Sequence, residues 1–260
     1  MQNRYLVSVI MPSFNSSLFI EKTINSVLSQ NYSDWELIII DDCSSDNSLS
    51  VIEKYIHQDN RIKLICLEKN SGAAVARNTG IQQAQGRFIA FLDSDDTWHP
   101  DKLNKQVTFM IENGYALTYT KYHKVNEVGD FLSTVNIPLK VAYSQLLKTC
   151  VIGCLTAMYD TKKIGKVEFP LIRKRQDFAL WLKILKLTPY AYGLNVDLAS
   201  YTVRSDSISA NKFKAAQYNW YLYRHIENLS FIQSIYCFSH YMLKGIIRSK
   251  LPFIANIFNI

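Results

Sequence analysis

The chain has 260 residues, of which 48% are hydrophobic and 20% are charged, a globular composition with enough length for one sizeable core. No run approaches the roughly 18 apolar residues that a membrane-spanning helix needs, and the short apolar run before Pro12 lacks a signal-peptide cleavage pattern. The net charge is +7, and six of the 29 basic side chains fall between Lys212 and the end, against the single acid Glu227. We therefore predict a cytoplasmic protein with an anionic partner.

The first hundred residues repeat one pattern, in which a short apolar run, a polar turn and a segment with helical periodicity follow each other. The predicted strands are Leu6 to Met11, Trp35 to Ile40, Ile62 to Leu67 and Arg87 to Leu92. The predicted helices are Leu18 to Gln30, Asn47 to His57 and Ala73 to Ala84. Alternating strands and helices favour parallel strands joined by right-handed crossovers, which is a Rossmann-like α/β sheet.

The second half of the chain is less regular. It contains predicted strands at Tyr115 to Tyr122, Phe131 to Val135 and Tyr190 to Val203, and a helix at Phe178 to Leu187. From Lys212 onward we predict an aromatic-rich helical tail. The five cysteines are scattered and odd in number, which indicates buried free thiols and not a zinc site.

Polar residues follow each of the first four predicted strands. They are Pro12 to Asn15 after the first, Asp41 and Asp42 after the second, Asn70 to Gly72 after the third, and Asp93, Asp95 and Asp96 after the fourth. Ligands of such sheets bind outside the carboxyl ends of the strands, so these residues are expected to converge on one crevice.

The acidic run DSDDT allows three interpretations. A calcium loop that starts at Asp93 needs Gly at its sixth and Glu at its twelfth position, but Trp98 and Asn104 stand there. A phosphatase of the haloacid dehalogenase type carries its D-x-D-x-T motif, here Asp93 to Thr97, on the first strand, whereas three strand and helix units precede it in this chain. The third interpretation is a D-x-D motif that holds Mg²⁺ or Mn²⁺ on the diphosphate of a nucleotide sugar, since these cations prefer oxygen ligands.

Four segments make the third interpretation specific: VSVIMPSFN, WELIIIDDCSSDNS, NSGAAVARNTG and FIAFLDSDDTWHPDKL. In the order and spacing of these four segments, the chain resembles an inverting family 2 glycosyltransferase of the GT-A fold. This fold is a Rossmann-like, nucleotide-binding mixed sheet flanked by helices. The resemblance covers nearly all of residues 5 to 205. It implies a catalytic domain at 1–210, with a donor half at 1–100 and an acceptor half at 101–210, followed by a basic C-terminal helical extension at 211–260.

The same resemblance assigns the donor site. It implies that Pro12, Phe14, Asn15 and Asp42 bind the nucleoside of a UDP-sugar and that Arg77 lies near the donor. Asp95 is the implied ligand of Mn²⁺ or Mg²⁺, and Asp93 contacts the ribose or the metal. An aromatic face and a carboxylate suit a planar base with ring N–H groups, which agrees with this assignment.

The resemblance also implies a general base. Family members carry an acidic pair before a Trp-containing helix, and the matching text RKRQDFALWLKILK makes Asp177 the base while Gln176 replaces the usual Glu. Asp177 would deprotonate an acceptor hydroxyl that displaces the nucleoside diphosphate with inversion, so an α-linked donor gives a β-linked product. Trp181 is expected to face the acceptor sugar, and Arg204 with Ser207 to close over the donor.

The tail and the family together indicate the acceptor. Basic residues at intervals of four, His240, Lys244 and Arg248, suit an anionic membrane surface, although a terminal helix packed on the domain explains them equally well. Because no nucleic-acid module accompanies the charge, no nucleic-acid partner is expected. Bacterial relatives extend lipid diphosphate-linked saccharides of O-antigen, capsule or lipopolysaccharide, which implies a peripheral enzyme at the inner membrane face. A non-catalytic saccharide-binding protein is the remaining alternative.

Overall fold

The computed structural model describes residues 5–204 and 212–250 and is built around one mixed β-sheet. The strands in this part of the chain are β1 Val7–Ser13, β2 Trp35–Asp41, β3 Ile62–Cys66, β4 Phe88–Phe91, β5 Thr97–Trp98, β6 Leu117–Val125, β7 Phe131–Val135, β8 Lys140–Val141, β9 Met158–Asp160 and β10 Ala191–Thr202. Their order is β3-β2-β1-β4-β9-β6-β10-β5, and β7 and β8 pair with β6 and β10. The predicted α/β fold class is confirmed.

Helices flank the sheet and connect its strands. They are α1 Ile20–Leu28, α2 Ser48–Ile56, α3 Ala73–Gln83, α4 Lys102–Asn113, α5 Tyr143–Leu146, α6 Thr161–Ile164, α7 Gln176–Ile184, α8 Lys212–Tyr221 and α9 Phe231–Lys250. A 3₁₀ turn covers Cys154–Thr156, and a π-helical segment at Leu222–Ile226 joins α8 to the loop before α9. All five cysteines are free, as expected, but the prediction that they are buried is wrong for Cys43 and Cys66, which are exposed.

The sheet is buried on both faces, which explains the continuous apolar run WELIIID. Alternate side chains of β2 enter two different core clusters: Ile38 and Ile40 pack with α3 and α7, whereas Leu37 and Ile39 pack with α1, α2 and α4. On the first face, Gly80 of α3 lies so close to the sheet that a Cβ atom there would approach Ile10 and Ile40 to 2.6 Å. The small residues of NSGAAVARNTG therefore let this helix lie directly on the sheet.

The strand directions bring the predicted site residues to one edge. Strand β1 pairs parallel with β2 and β4, and β2 pairs parallel with β3, so these four strands end at the same edge of the sheet. Strand β6 runs in the same direction as β4, because each pairs antiparallel with β9 between them. The catalytic edge, as we call the carboxyl ends of β1 to β4 and β6, is thus continuous across both halves of the sequence.

The C-terminal tail packs on the domain instead of standing apart from it. Leu222, Tyr223 and Cys237 belong to the same core cluster as Trp181 and Phe91. Trp220 makes edge-to-face contacts with Phe231 and Phe238 of α9, at centroid distances of 5.9 and 5.6 Å. Among the described residues no helix has both the length and the apolar character to cross a bilayer.

Lys102 of α4 is fully buried, and this burial lowers its pKa from 10.5 to about 7. Its Nζ donates to Gln106 Oε1 at 2.6 Å. Between pH 7 and about 10 the unfolded chain binds a proton that the folded chain has lost, so the contribution of Lys102 to stability rises with pH over this window. The Lys102→Met variant lacks that titration.

We therefore expect the free energy of unfolding of Lys102→Met, relative to the natural protein, to fall as pH rises from 7 to 10. Urea unfolding at several pH values measures this difference. The exposed neighbour variant Lys105→Met is the control and should give a flat difference. A flat difference for Lys102→Met as well would show that Lys102 is charged in the folded state.

Candidate active site

The loop after β1 lies at the catalytic edge beside the loop after β2. The ring of Phe14 is 49% exposed there, and Pro12 is half-buried in register with Ile40. Asn15 has a left-handed backbone with φ of 47°, accepts from the Ser45 N–H at 2.8 Å through Oδ1, and donates its own N–H to Ser44 Oγ at 2.9 Å. Asn15 thus fixes the geometry of the loop that presents Phe14, which the sequence pattern did not indicate.

Asp42 ties the end of β2 to the beginning of α3. Its two carboxylate oxygens accept the backbone N–H groups of Ser71 at 2.6 Å and Gly72 at 2.8 Å. Gly72 has a φ of +88°, a conformation that L side chains rarely adopt, which is why glycine stands at this turn. Because a carboxylate offers about four lone-pair sites, Asp42 retains capacity for a ligand at this edge.

The three carboxylates after β4 have different surroundings. Asp96 is buried and accepts the Thr202 N–H of β10 at 2.9 Å. Burial, and then the charges of Asp95 and Asp93, hold the pKa of Asp96 well above its usual value. Asp96 therefore joins the loop to the sheet, while Asp93 and Asp95 remain about one-third and one-quarter exposed.

Asp93 and Asp95 form a partly open acidic pair. Burial, followed by the charge of Asp93, raises the pKa of Asp95, and Arg204 acts in the opposite direction from 3.5 Å. Within the described residues no group of three or more His, Cys, Asp or Glu side chains is arranged to hold a metal ion. A pair of repelling carboxylates nevertheless fits a cation whose other ligands come from a bound diphosphate and water.

Arg77 connects this acidic pair with the helix that carries Asp177. Its Nη2 donates to Asp93 Oδ1 at 2.5 Å, and its Nη1 donates to Gln176 Oε1 at 3.2 Å. Burial alone would lower the pKa of Arg77, but Asp93, Cys154 and Asp177 outweigh it and raise that pKa. Gln176, which replaces the usual Glu of the family's acidic pair, is thus a neutral hydrogen-bond partner of Arg77. The sequence did not predict this bridge from Asp93 through Arg77 to Gln176.

We expect Arg77→Met to destabilise the protein. The change leaves Asp93 and Gln176 without their shared partner, and breaking a buried ion pair costs about 3 kcal/mol, reduced here to about 2 kcal/mol by the partial exposure of Asp93. Urea unfolding measures the loss. Lys105→Met, which breaks an exposed pair with Asp101, is the control with an expected cost under about 0.5 kcal/mol. Equal losses would show that the Arg77 bridge adds nothing.

Asp177 lies in the first turn of α7 and is half-buried. The described residues provide no hydrogen-bond donor to its carboxylate, yet it is close enough to Arg77 to act on the pKa of that guanidinium. Asp177 therefore lies near Arg77, the partner of Asp93, and its carboxylate oxygens accept from no described donor.

Trp181 and Arg204 lie in very different surroundings. Trp181 is 0% exposed and packs against Phe91 at a centroid distance of 6.0 Å, so the prediction that it faces an acceptor sugar is wrong. The helix is covered by the tail on one side and the sheet on the other, which leaves no open face for this ring. Arg204 lies beside Asp95, as its assignment to the donor site requires, and Ser207 lies outside the described residues.

The family model for Glycosyl transferase family 2 matches residues 8–164. The chain belongs to this family. It is 46% identical over 247 residues to TuaG of Bacillus subtilis, named as a teichuronic acid biosynthesis glycosyltransferase, covering 95% of this chain and 98% of TuaG. It is 42% identical over 247 residues to WfgD of Escherichia coli, a UDP-Glc:alpha-D-GlcNAc-diphosphoundecaprenol beta-1,3-glucosyltransferase, covering 93% of this chain and 94% of WfgD.

The fold of this family 2 member is also found in a solved structure. TarS 1–349 of S. aureus in complex with UDP-GlcNAc superposes with a TM-score of 0.71 at 23% identity, covering 94% of this chain and 74% of that one. The GT-A fold is therefore confirmed. Membership of the family favours the glycosyltransferase interpretation of DSDDT over the phosphatase interpretation.

Proposed function

We propose that this enzyme transfers a hexose from a UDP-sugar to a hydroxyl group of a lipid diphosphate-linked saccharide in the biosynthesis of a surface polysaccharide. The observation that carries the proposal is the meeting of Asp42, the Asp93 and Asp95 pair and Asp177 at one edge of the sheet. The similarity to WfgD over nearly the whole of both chains supports UDP-glucose as the first donor to test.

The donor is proposed to bind across the ends of β1, β2 and β4. The exposed Phe14 ring offers a face for the uracil base, and the half-buried Pro12 lies two residues before it on the same strand end. Asp42 accepts a hydrogen bond from the base, with the carboxylate held in place by the N-terminus of α3. Arg77 lies beside Asp93 and Arg204 lies beside Asp95. Their positive charges reduce the repulsion between these two carboxylates and the donor diphosphate.

A divalent cation is proposed to bind between Asp95, Asp93 and the donor diphosphate. Held there by the two carboxylates, Mn²⁺ or Mg²⁺ would supply positive charge to the leaving nucleoside diphosphate. Asp95 is the main ligand, because Asp93 is already engaged by Arg77 at 2.5 Å. Asp96 takes no part in binding, since it is buried and bonded to Thr202.

Asp177 is proposed as the general base of an inverting displacement. Its carboxylate removes the proton from the acceptor hydroxyl while that oxygen attacks the anomeric carbon on the face opposite the diphosphate. The Arg77 and Gln176 bridge holds the beginning of α7 at a fixed distance from the donor strands, which positions the base. One displacement converts an α-linked donor into a β-linked product.

A donor screen tests the proposal. The protein is incubated with UDP-glucose, UDP-galactose or UDP-GlcNAc, with a short-chain α-GlcNAc diphospholipid as acceptor, and released UDP is measured. We expect one donor to release UDP only when the acceptor is present. Release of inorganic phosphate instead of UDP would support the phosphatase alternative, and saccharide binding without any release would support a non-catalytic binding protein.

The exposed side of α9 is proposed to bind the membrane surface where such an acceptor resides. Ile232 is 79% and Leu243 is 57% exposed, and Ile235, Tyr236 and Met242 are also exposed at helical spacing between them. Lys148 lies over the ring of Tyr236, and His240 and Lys244 lie on the same helix. Apolar side chains flanked by basic ones suit the interface of an anionic bilayer. Arg248 was predicted to belong to this basic stripe, but its side chain lies outside the part of the chain that the structure describes.

Vesicle flotation measures this binding. We expect the protein to float with phosphatidylglycerol vesicles at low salt and less so at high salt, and Ile232→Glu with Leu243→Glu to reduce flotation several-fold. The control Leu187→Glu replaces a comparably exposed leucine that does not belong to α9 and should not change it. An absence of salt-sensitive binding, together with activity on soluble acceptors alone, would contradict the membrane proposal.

A further inference from the structure

Three polar side chains form a continuous line across β6 and β10, and none of them belongs to the proposed donor site. His123 Nδ1 lies 3.0 Å from Asp197 Oδ2, and His123 Nε2 lies 2.8 Å from Ser200 Oγ. The side chains of His123 and Asp197 are about one-third exposed, so the line is open to a ligand. Neither the family resemblance nor the strand-end pattern pointed to these residues.

The line lies on the face of the sheet that packs against α7, the helix that carries Asp177. Side chains alternate along β6, and Leu117 and Tyr119 enter the core cluster that contains α7, which places His123 on this same face. Strands β4 and β6 are separated only by β9 in the sheet. Thr202, two residues beyond Ser200, donates its N–H to Asp96 and its hydroxyl to the Asp95 carbonyl. The line is therefore close to the acidic pair without belonging to it.

An exposed aromatic ring adjoins the line. Phe131 of β7 is 64% exposed, and its ring centroid is 5.9 Å from that of His123 at an interplanar angle of 35°. A sugar ring offers an apolar C–H face and a rim of hydroxyl groups that both donate and accept. Asp197 has accepting capacity left beyond His123, because an ionised carboxylate offers about four lone-pair sites. An aromatic face beside such groups matches both properties of a sugar.

We propose that Phe131, His123 and Asp197 form a subsite for a sugar ring of the acceptor, with Ser200 as a positioning residue that orients the imidazole. This inference rests on the proposed function and names the part of the acceptor that the fold recognises. The carboxylate of Asp197 selects for neutral hydroxyl groups and against the acceptor's diphosphate, which belongs elsewhere along the edge.

The order Ser, His, Asp is also that of serine hydrolases, but the backbone here does not suit that chemistry. A hydrolase needs backbone N–H groups beside the serine to hold an oxyanion. Ser200 lies within β10 between two paired strands, in register with His123 on one side and Thr97 on the other. The backbone at Ser200 is thus part of the sheet pairing on both sides, which favours binding over hydrolysis.

Acceptor kinetics and ligand NMR together test the subsite. The probe is the short-chain α-GlcNAc diphospholipid, and the variants are Phe131→Ala and Asp197→Asn, with Leu132→Ala as an exposed control on the same strand. We expect each of the two variants to raise the acceptor KM about tenfold, the size of one aromatic or hydrogen-bonded contact, while the donor KM and the melting temperature stay unchanged. The control should match the natural protein.

Saturation-transfer NMR with the same diphospholipid needs no turnover and separates the two proposals. Suppose that the natural protein has no transferase activity but saturates the sugar-ring protons, and that Phe131→Ala does not saturate them. That result would support the subsite and contradict the proposed function. Transfer activity with an acceptor KM within twofold of the natural value in both variants would overturn the subsite. An equal rise of donor and acceptor KM would also overturn it, because it indicates a general structural role.

Discussion

Replacing Asp177 by Asn is expected to reduce kcat for sugar transfer by about 10²- to 10⁴-fold, the range that a general base contributes. The amide has nearly the shape of the carboxylate but cannot accept the hydroxyl proton. Since Asp177 lies in α7 and outside the donor loops, binding of UDP should change less than twofold. Initial rates of UDP release and titration calorimetry with UDP measure the two quantities separately.

The matched control is Asp101→Asn, which makes the same change at the start of α4. Asp101 accepts from Asn31 Nδ2 at 2.6 Å and lies away from the catalytic edge, so only a small stability cost is expected there. If Asp177 only stabilised the N-terminus of α7, both variants would be less stable and neither would have a lower kcat. That outcome would remove Asp177 from the mechanism.

Removal of the divalent cation with EDTA is expected to abolish transfer, and added Mn²⁺ or Mg²⁺ to restore it. Asp95→Asn should lower kcat by about 10²- to 10³-fold, as the loss of one charge-stabilising group does. It should also raise the Mn²⁺ concentration for half-maximal rate, because the variant lacks the carboxylate that we propose as the main ligand. Rates measured across a Mn²⁺ titration give both numbers.

Asp177→Asn provides the cross-control for the metal. Its residual rate should show the same half-maximal Mn²⁺ concentration as the natural protein, since Asp177 is not a proposed ligand. Full activity of the natural protein in EDTA would contradict a metal-dependent mechanism and leave Arg77 and Arg204 to neutralise the leaving group.

Local patterns predicted the first four strands and the common edge at which they end. Burial on both faces of the sheet requires apolar residues throughout β2, and its sequence shows them. Close packing of α3 on the sheet requires small residues, and the sequence of α3 shows these as well. The acidic run could be assigned once its position after the fourth strand was taken into account. Its local pattern alone fitted a phosphatase equally well.

Contacts between distant segments could not be predicted in this way. Arg77 and Gln176 are 99 residues apart, and His123 meets Asp197 only through a strand pairing with two register shifts, which no local periodicity encodes. Trp181 was misjudged for a related reason. The apolar face of α7 predicts one buried side, but the C-terminal segment covers the helix from a second side, and Leu222 and Tyr223 belong to the core cluster of Trp181.

The structure of the reaction product tests the central claim most directly. The protein, UDP-glucose, Mn²⁺ and the α-GlcNAc diphospholipid are incubated together, and the isolated lipid is analysed by mass spectrometry and proton NMR. Our account predicts a lipid that has gained one hexose, joined through a β-glycosidic bond, with one UDP released per bond. An α-linked product would contradict the inverting displacement by Asp177, and UDP-glucose consumption without a lengthened lipid would contradict the acceptor.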